Sequence, residues 1–144
     1  MRKIRVLGYK KALEKHDSYK GEALVIDIDD NEALLNDQLE RVFTEHTDMD
    51  GLLCIDNVSG IMSVNIAQRL GRKIPEDLSV LGFSSDEISH LSYPQLSTVT
   101  QHAEQIGQQS VRMLVDRLKN KTKGQTTTAT IDFTIELRGT TLPL

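Results

Sequence analysis

Three short apolar runs limit the fold of this chain more than any other feature: Ala23-Leu-Val-Ile-Asp-Ile28, Leu52-Leu-Cys-Ile55 and Leu78-Ser-Val-Leu-Gly82. Each is too short for a buried helix, so each reads as a buried strand. Segments with helical spacing separate them. Asp29, Asp30 and Glu32 form a helix-starting signature. Leu35, Leu39, Val42, Phe43 and His46 then recur every three or four residues, up to the break at Asp48-Met-Asp-Gly51. A second helix is expected from about Val58 to Leu70, with Val58, Ile61, Met62 and Ile66 on its apolar side. Gly71 is its natural stop, and Arg72 and Lys73 suit the negative helix end. Strand, helix, strand, helix, strand predicts an α/β fold, a parallel sheet with helices on both faces. Such sheets bind ligands beyond the carboxyl ends of their strands. The segments after Ile28, Ile55 and Gly82 are therefore the first places to look for a site.

The flanks are also patterned. Residues 3–16 suit a short helix, with Ile4, Leu7, Ala12 and Leu13 turned inward. After a loop around Tyr93-Pro94, a long helix is expected at about 101–119, with Ile106, Val111, Leu114, Val115 and Leu118 facing a core. Residues 120–128 are polar and read as a loop. Ile131, Phe133, Ile135 and Leu137 then alternate with Asp132, Thr134, Glu136 and Arg138, the period of a strand with one wet face.

Composition narrows the function. The 144 residues, 38% hydrophobic and 26% charged, suit one soluble domain. No window approaches the length of apolar chain needed to span a membrane. The start, Met1-Arg-Lys-Ile-Arg5, does not resemble a secretory signal. Cys54 is the single cysteine, which excludes an internal disulfide and makes the cytoplasm the default compartment. His16, His46, His90 and His102 are scattered, so no metal site is expected. No cofactor fingerprint, nucleophile elbow or phosphate-binding loop occurs, which argues against an enzyme. A receiver-like acidic pocket would need a lysine after a later strand, where Phe83-Ser-Ser-Asp86 stands instead. The net charge of −4 argues against an overall nucleic-acid surface. Seven basic and two acidic residues do fall within 1–20. Without interleaved aromatics or a helix-turn-helix pattern, they read better as a solvated helix face than as a phosphate-binding arm.

Three passages add a family resemblance: Ile74-Pro-Glu-Asp-Leu-Ser-Val-Leu-Gly-Phe83, Tyr93-Pro-Gln-Leu-Ser-Thr-Val99 and Glu136-Leu-Arg-Gly-Thr-Thr141. Arg5-Val-Leu-Gly-Tyr9 and Cys54-Ile-Asp-Asn57 support them. Together, in order and spacing, they resemble the effector-binding core of the LacI family of transcription regulators. The resemblance implies a partial type I periplasmic-binding-protein-like fold. Residues 1–95 would form most of a C-terminal subdomain, and 96–144 would cross to a second subdomain and return by a strand at about 129–138. It also implies a chain truncated relative to the family. The DNA-binding headpiece, most of the other subdomain and one strand before the Arg5 helix would lie outside it. Operator DNA would be reached only through that headpiece, and no membrane partner is implied.

The same resemblance names positions. Arg5 would place a guanidinium fork on the effector, although a surface arginine in a basic stretch is the plainer alternative. Asp56 would reach the ligand. Asn57 fits a capping role for the 58–70 helix better than a ligand role. Ser84 stands where many relatives have an aspartate, and Ile28 where several sugar-binding relatives have a stacking ring. These two departures weaken the expected contacts with a sugar-like small molecule, the implied effector. A homodimer contact would fall on Val58, Ile61 and Met62 with Leu91, Ser92 and Tyr93, although Val-Ile-Met is also ordinary core patterning. The competing reading is a periplasmic-type sugar-binding protein of the same fold.

Overall fold

The structure, a computed structural model, describes residues 2–16, 23–28, 31–84, 86–119 and 126–143. It divides into two compact units, Met1–Asp48 and Met49–Leu144.

The first unit holds helices α1 (Arg2–Glu14) and α2 (Glu32–Glu45). In α2 the expected stripe is realised: Leu35, Leu39, Val42 and Phe43 are buried, which at about 1.5–3 kcal/mol per large side chain outweighs the helix's modest intrinsic propensity. The amide groups of Leu34 and Leu35 donate to the Asn31 carbonyl at its start. The predicted capping residues Asp29 and Asp30 lie outside the described residues. In α1 the expected inward residues Ile4 and Leu7 are exposed, and Arg5, Val6, Tyr9 and Leu13 are the partly shielded ones.

The run 23–28 forms no strand, contrary to its apolar sequence. A parallel strand exists only through its neighbour's hydrogen bonds. In a doubly wound sheet of order 2-1-3 the first strand lies between the second and the third. The described residues before Gly51 supply no such first strand. Among the described residues the run forms no strand, and the sheet of the second unit starts at Gly51–Leu53.

The second unit contains that sheet, ordered β1 (Gly51–Leu53), β2 (Ser79–Ser84), β3 (Ser97–Thr100) and β4 (Thr134–Glu136). β1, β2 and β3 are mutually parallel, in register Leu52↔Val80 and Phe83↔Val99, as the strand–helix alternation predicts. β4 returns antiparallel, pairing Val99 with Ile135. Helix α3 (Asn57–Arg69) packs on β2 and buries Val64, Ile66 and Ala67. A Cβ on Gly60 would stand 2.9 Å from Leu96 Cδ2, so the absent side chain is what lets α3 approach the sheet. α3 stops as its sequence predicts. Gly71 takes φ +85°, the Gly71 amide donates to the Gln68 carbonyl and the Arg72 amide to that of Ala67, a Schellman closure. Arg72 then ties the Met49 and Asp77 carbonyls together. Short α4 (Asp86–Ser89) and long α5 (Ala103–Leu118) complete the unit.

β3 is absent from the sequence expectation, which places no element between the Tyr93-Pro94 loop and the helix at about 101–119. All four of its residues are buried. Their polar groups are satisfied by the segment that returns some forty residues later. Ser97 Oγ accepts from the Arg138 amide at 2.8 Å and meets Thr141 Oγ1 at 2.8 Å, while Arg138 Nη1 donates to Thr98 Oγ1 at 2.8 Å. Thr140 inserts where β2 and β3 separate: its Oγ1 donates to the Val80 carbonyl at 2.7 Å and accepts from the Ser97 amide at 2.8 Å. A further correction concerns α5. None of its residues is buried, and the expected core residues Ile106, Val111, Leu114, Val115 and Leu118 are exposed.

Thr140→Val keeps the shape but strands the Ser97 amide and Val80 carbonyl in a buried site. A loss of about 2–4 kcal/mol in urea unfolding is expected, with Thr140→Ser losing less than half of that.

Candidate functional site

Parallel strands deliver their carboxyl ends to one side of a sheet, and in the second unit three segments meet there. β1 extends by one ladder bond, Cys54 amide to Leu81 carbonyl at 2.8 Å, and then runs into Asp56. Asp56 is extended, at φ −146°, and is exposed. Its Oδ1 accepts from the Ser59 amide at 2.8 Å, which makes it the N-cap of α3. The expected cap, Asn57, is instead the first helical residue: the carboxylate one position earlier has the extended backbone that a cap requires. A cap uses one carboxylate oxygen and leaves the negative charge at the positive helix end.

β2 reaches the same rim. Gly82 passes in van der Waals reach of the Asp56 segment: a Cβ there would lie 3.6 Å from the Asp56 carbonyl oxygen and, more tightly, 3.0 Å from Leu96 Cδ2. Two residues on, Ser84 ends the strand opposite Thr100. The third segment is Gln101-His102, which follows β3 and went unnoticed in the sequence because β3 itself did. His102 adopts the left-handed conformation, φ 44° and ψ 58°, unusual for a residue with a Cβ. Its Nε2 lies 2.7 Å from Thr134 Oγ1, joining the end of the outgoing strand to the start of the returning one.

The remaining predicted positions lie elsewhere. Arg5 on α1 and Ile28 are half-buried members of the first unit. Of the predicted dimer contacts, Leu91 and Tyr93 are 79% and 89% exposed, Val58 is exposed, and Ile61 and Met62 are half-buried. Ser92 is buried, so it supports that loop from within rather than presenting a surface. A shallow depression on α2, lined by Asp37, Glu40, Arg41, Thr44 and Glu45, contains none of the predicted residues.

Beneath the rim sits Cys54. Burial pushes its thiol from the ordinary 9.0 up to about 11, Ser63 opposes this through a contact at 3.7 Å, and the Asp56 charge reinforces it. Among the described residues no group of histidine, cysteine and carboxylate side chains is arranged to hold a metal, and no helix is long and apolar enough to cross a membrane.

The carboxyl rim of the parallel sheet thus carries Asp56, Ser84 and Gln101-His102. Residues 2–141 match the periplasmic binding protein-like domain, and the chain belongs to that family. Its relatives are LacI- and PurR-type transcription regulators. It is 27% identical over 122 residues to the HTH-type transcriptional regulator CelR of Thermobifida fusca, covering 82% of this chain and 35% of that protein. It is 24% identical over 119 residues to the HTH-type transcriptional repressor PurR of Aliivibrio salmonicida, covering 83% and 36%. The chain thus spans about a third of the length of these relatives. A CelR–cellobiose complex superposes with a TM-score of 0.83 at 23% identity, over 94% of this chain and 41% of that one. A LacI family regulator from Arthrobacter sp. FB24 in complex with lactose gives 0.69 at 25% identity, over 75% and 40%.

The buried thiol makes a two-part prediction. Cys54 should resist a thiol reagent such as Ellman's in native buffer and react at once in denaturant. Because its folded pKa lies above the unfolded one, its stabilising effect is complete below about pH 9 and is lost as the pH rises through about 11. A Cys54→Ala comparison of alkaline stability isolates that contribution.

Proposed function

We propose that this chain forms one wall of the effector cleft of a LacI-type transcription regulator and takes a sugar-like small molecule. The observation that carries the reading is the convergence of Asp56, Ser84 and Gln101-His102 on the carboxyl rim of the sheet, in a chain whose relatives include regulators complexed with cellobiose and lactose. In this reading Asp56 accepts from ligand hydroxyls with the oxygen its cap does not use. Ser84 offers a short neutral contact, and Gln101 adds an amide. Arg5, a guanidinium fork, and Ile28, an apolar surface, are ligand-contact candidates of the first unit taken by itself. Residues 1–95 then belong to one subdomain and 96–144 to the segment that crosses to the other and returns. Ligand binding changes how the subdomains close. In a homodimer built on Val58, Ile61, Met62, Leu91 and Tyr93, that closure alters DNA affinity through a headpiece outside this chain, in the cytoplasm.

The cap and ligand roles of Asp56 are separable. Asp56→Asn preserves an acceptor at the helix start and should leave stability within a few tenths of a kcal/mol. It should also weaken a responding disaccharide about tenfold, as expected for losing a charged hydrogen-bond acceptor. Asp56→Ala should add a loss of about 1 kcal/mol in stability. Calorimetric titration with cellobiose and lactose, alongside urea unfolding, checks both. Unchanged affinity in Asp56→Asn would remove this residue from the ligand contacts.

A further inference from the structure

The chain turns from β3 into α5 within two residues, Gln101 and His102, and the second is in an unusual state. His102 stands at the N-cap of α5, a position that favours an extended backbone and a short side chain accepting from the first turn. It has neither. Its backbone is left-handed, and its side chain makes no cap hydrogen bond. A residue with a Cβ is disfavoured in that conformation by about tenfold, a cost that glycine escapes. The ring reaches back to the strands instead. Nε2 lies 2.7 Å from the hydroxyl of Thr134, the ladder partner of Thr100, which ends β3. The His102 carbonyl meanwhile accepts from the Ile106 amide at 3.1 Å in the first turn of the helix. The end of β3, the start of β4 and the start of α5 thus meet at one residue.

We propose that His102 is a positioning residue for Gln101. The ring–hydroxyl bond holds the left-handed turn, and the turn sets where Gln101 stands on the rim. One hydrogen bond and one disfavoured backbone are of the same scale, so losing the bond releases the turn. Gln101, half-buried between Thr100 and His102, takes its place from that backbone. A ring serving only as a ligand contact would have no need of Thr134, and one serving only as a cap would face the first turn of α5. The ligand role of Gln101 rests on the function proposed above, whereas the tie to Thr134 is a property of the free protein.

Two readouts on the 144-residue chain test this. Without ligand, NMR follows the backbone and side-chain amides of Gln101. Thr134→Val keeps the shape and removes the hydroxyl, so it should shift these resonances, as should His102→Ala. His102→Gly, free to stay left-handed, should shift them less, and Thr134→Ser should leave them near their native positions. Calorimetric titration with cellobiose then reads the consequence. Binding should weaken about tenfold in His102→Ala and in Thr134→Val, and about threefold in His102→Gly. Combining His102→Ala with Thr134→Val should cost nothing further, because both remove the same tie. The proposal is overturned by Gln101 resonances indifferent to Thr134→Val, by His102→Gly as disruptive as His102→Ala, or by losses that multiply in the double variant. Shifted Gln101 resonances with native cellobiose affinity would overturn it too. A native chain that binds no sugar would instead count against the function proposed above, and the ligand-free shifts would still decide the tie.

Discussion

The second unit depends on keeping a strand of hydroxyl residues dry. β3 lies between β2 and β4 with all four residues buried, and a buried hydroxyl or amide without a partner costs on the order of 1–3 kcal/mol. The segment 136–141 removes that cost. Arg138 donates to the Leu96 carbonyl and to Thr98 Oγ1 while pairing with Glu136, and Thr140 bridges β2 to β3 where the two strands part. The outgoing and returning chains are thereby joined along their whole overlap, from Thr140 at one end to His102 and Thr134 at the other. The rim positions at the carboxyl ends of β2 and β3 inherit their spacing from this clasp.

That clasp also explains what could be read from the sequence. β1, β2, α2 and α3 were legible because their burial is apolar and periodic, and α3's stop was legible because Gly71 followed by a basic pair is a local signal. β3 was passed over: its β-branched Thr-Val-Thr suits a strand, but four residues are a short signal, and the partners that let its hydroxyls be buried lie forty residues away. The run 23–28 misleads in the opposite sense: its composition is that of a strand, but a strand needs a hydrogen-bonded neighbour. α5 was correctly placed as a helix, yet its apolar stripe faces solvent, since periodicity reports which residues share a face and not what covers them.

Site prediction followed the same division. Asp56 was found by its position after a legible strand. Its role as the α3 cap required the backbone angles and the Ser59 bond. Gln101 and His102 belong to the same rim but were hidden with β3. His102 shows how local cost and long-range tie combine there: a left-handed backbone, disfavoured by about 1–2 kcal/mol, is held beside a hydrogen bond that joins the two crossing strands.

The central claim is that the carboxyl rim of this sheet is a wall of a binding site for a sugar-like ligand. Amide NMR mapping tests it most directly, with a disaccharide such as cellobiose titrated to millimolar concentration into the isotope-labelled protein. Saturable shift changes centred on Asp56, Ser84 and Gln101, with residues of α5 and of the Leu91–Tyr93 loop unmoved, are the predicted result. Saturable changes confined to any other face, or none at the rim for any sugar, sugar phosphate or nucleobase tried, would contradict the account.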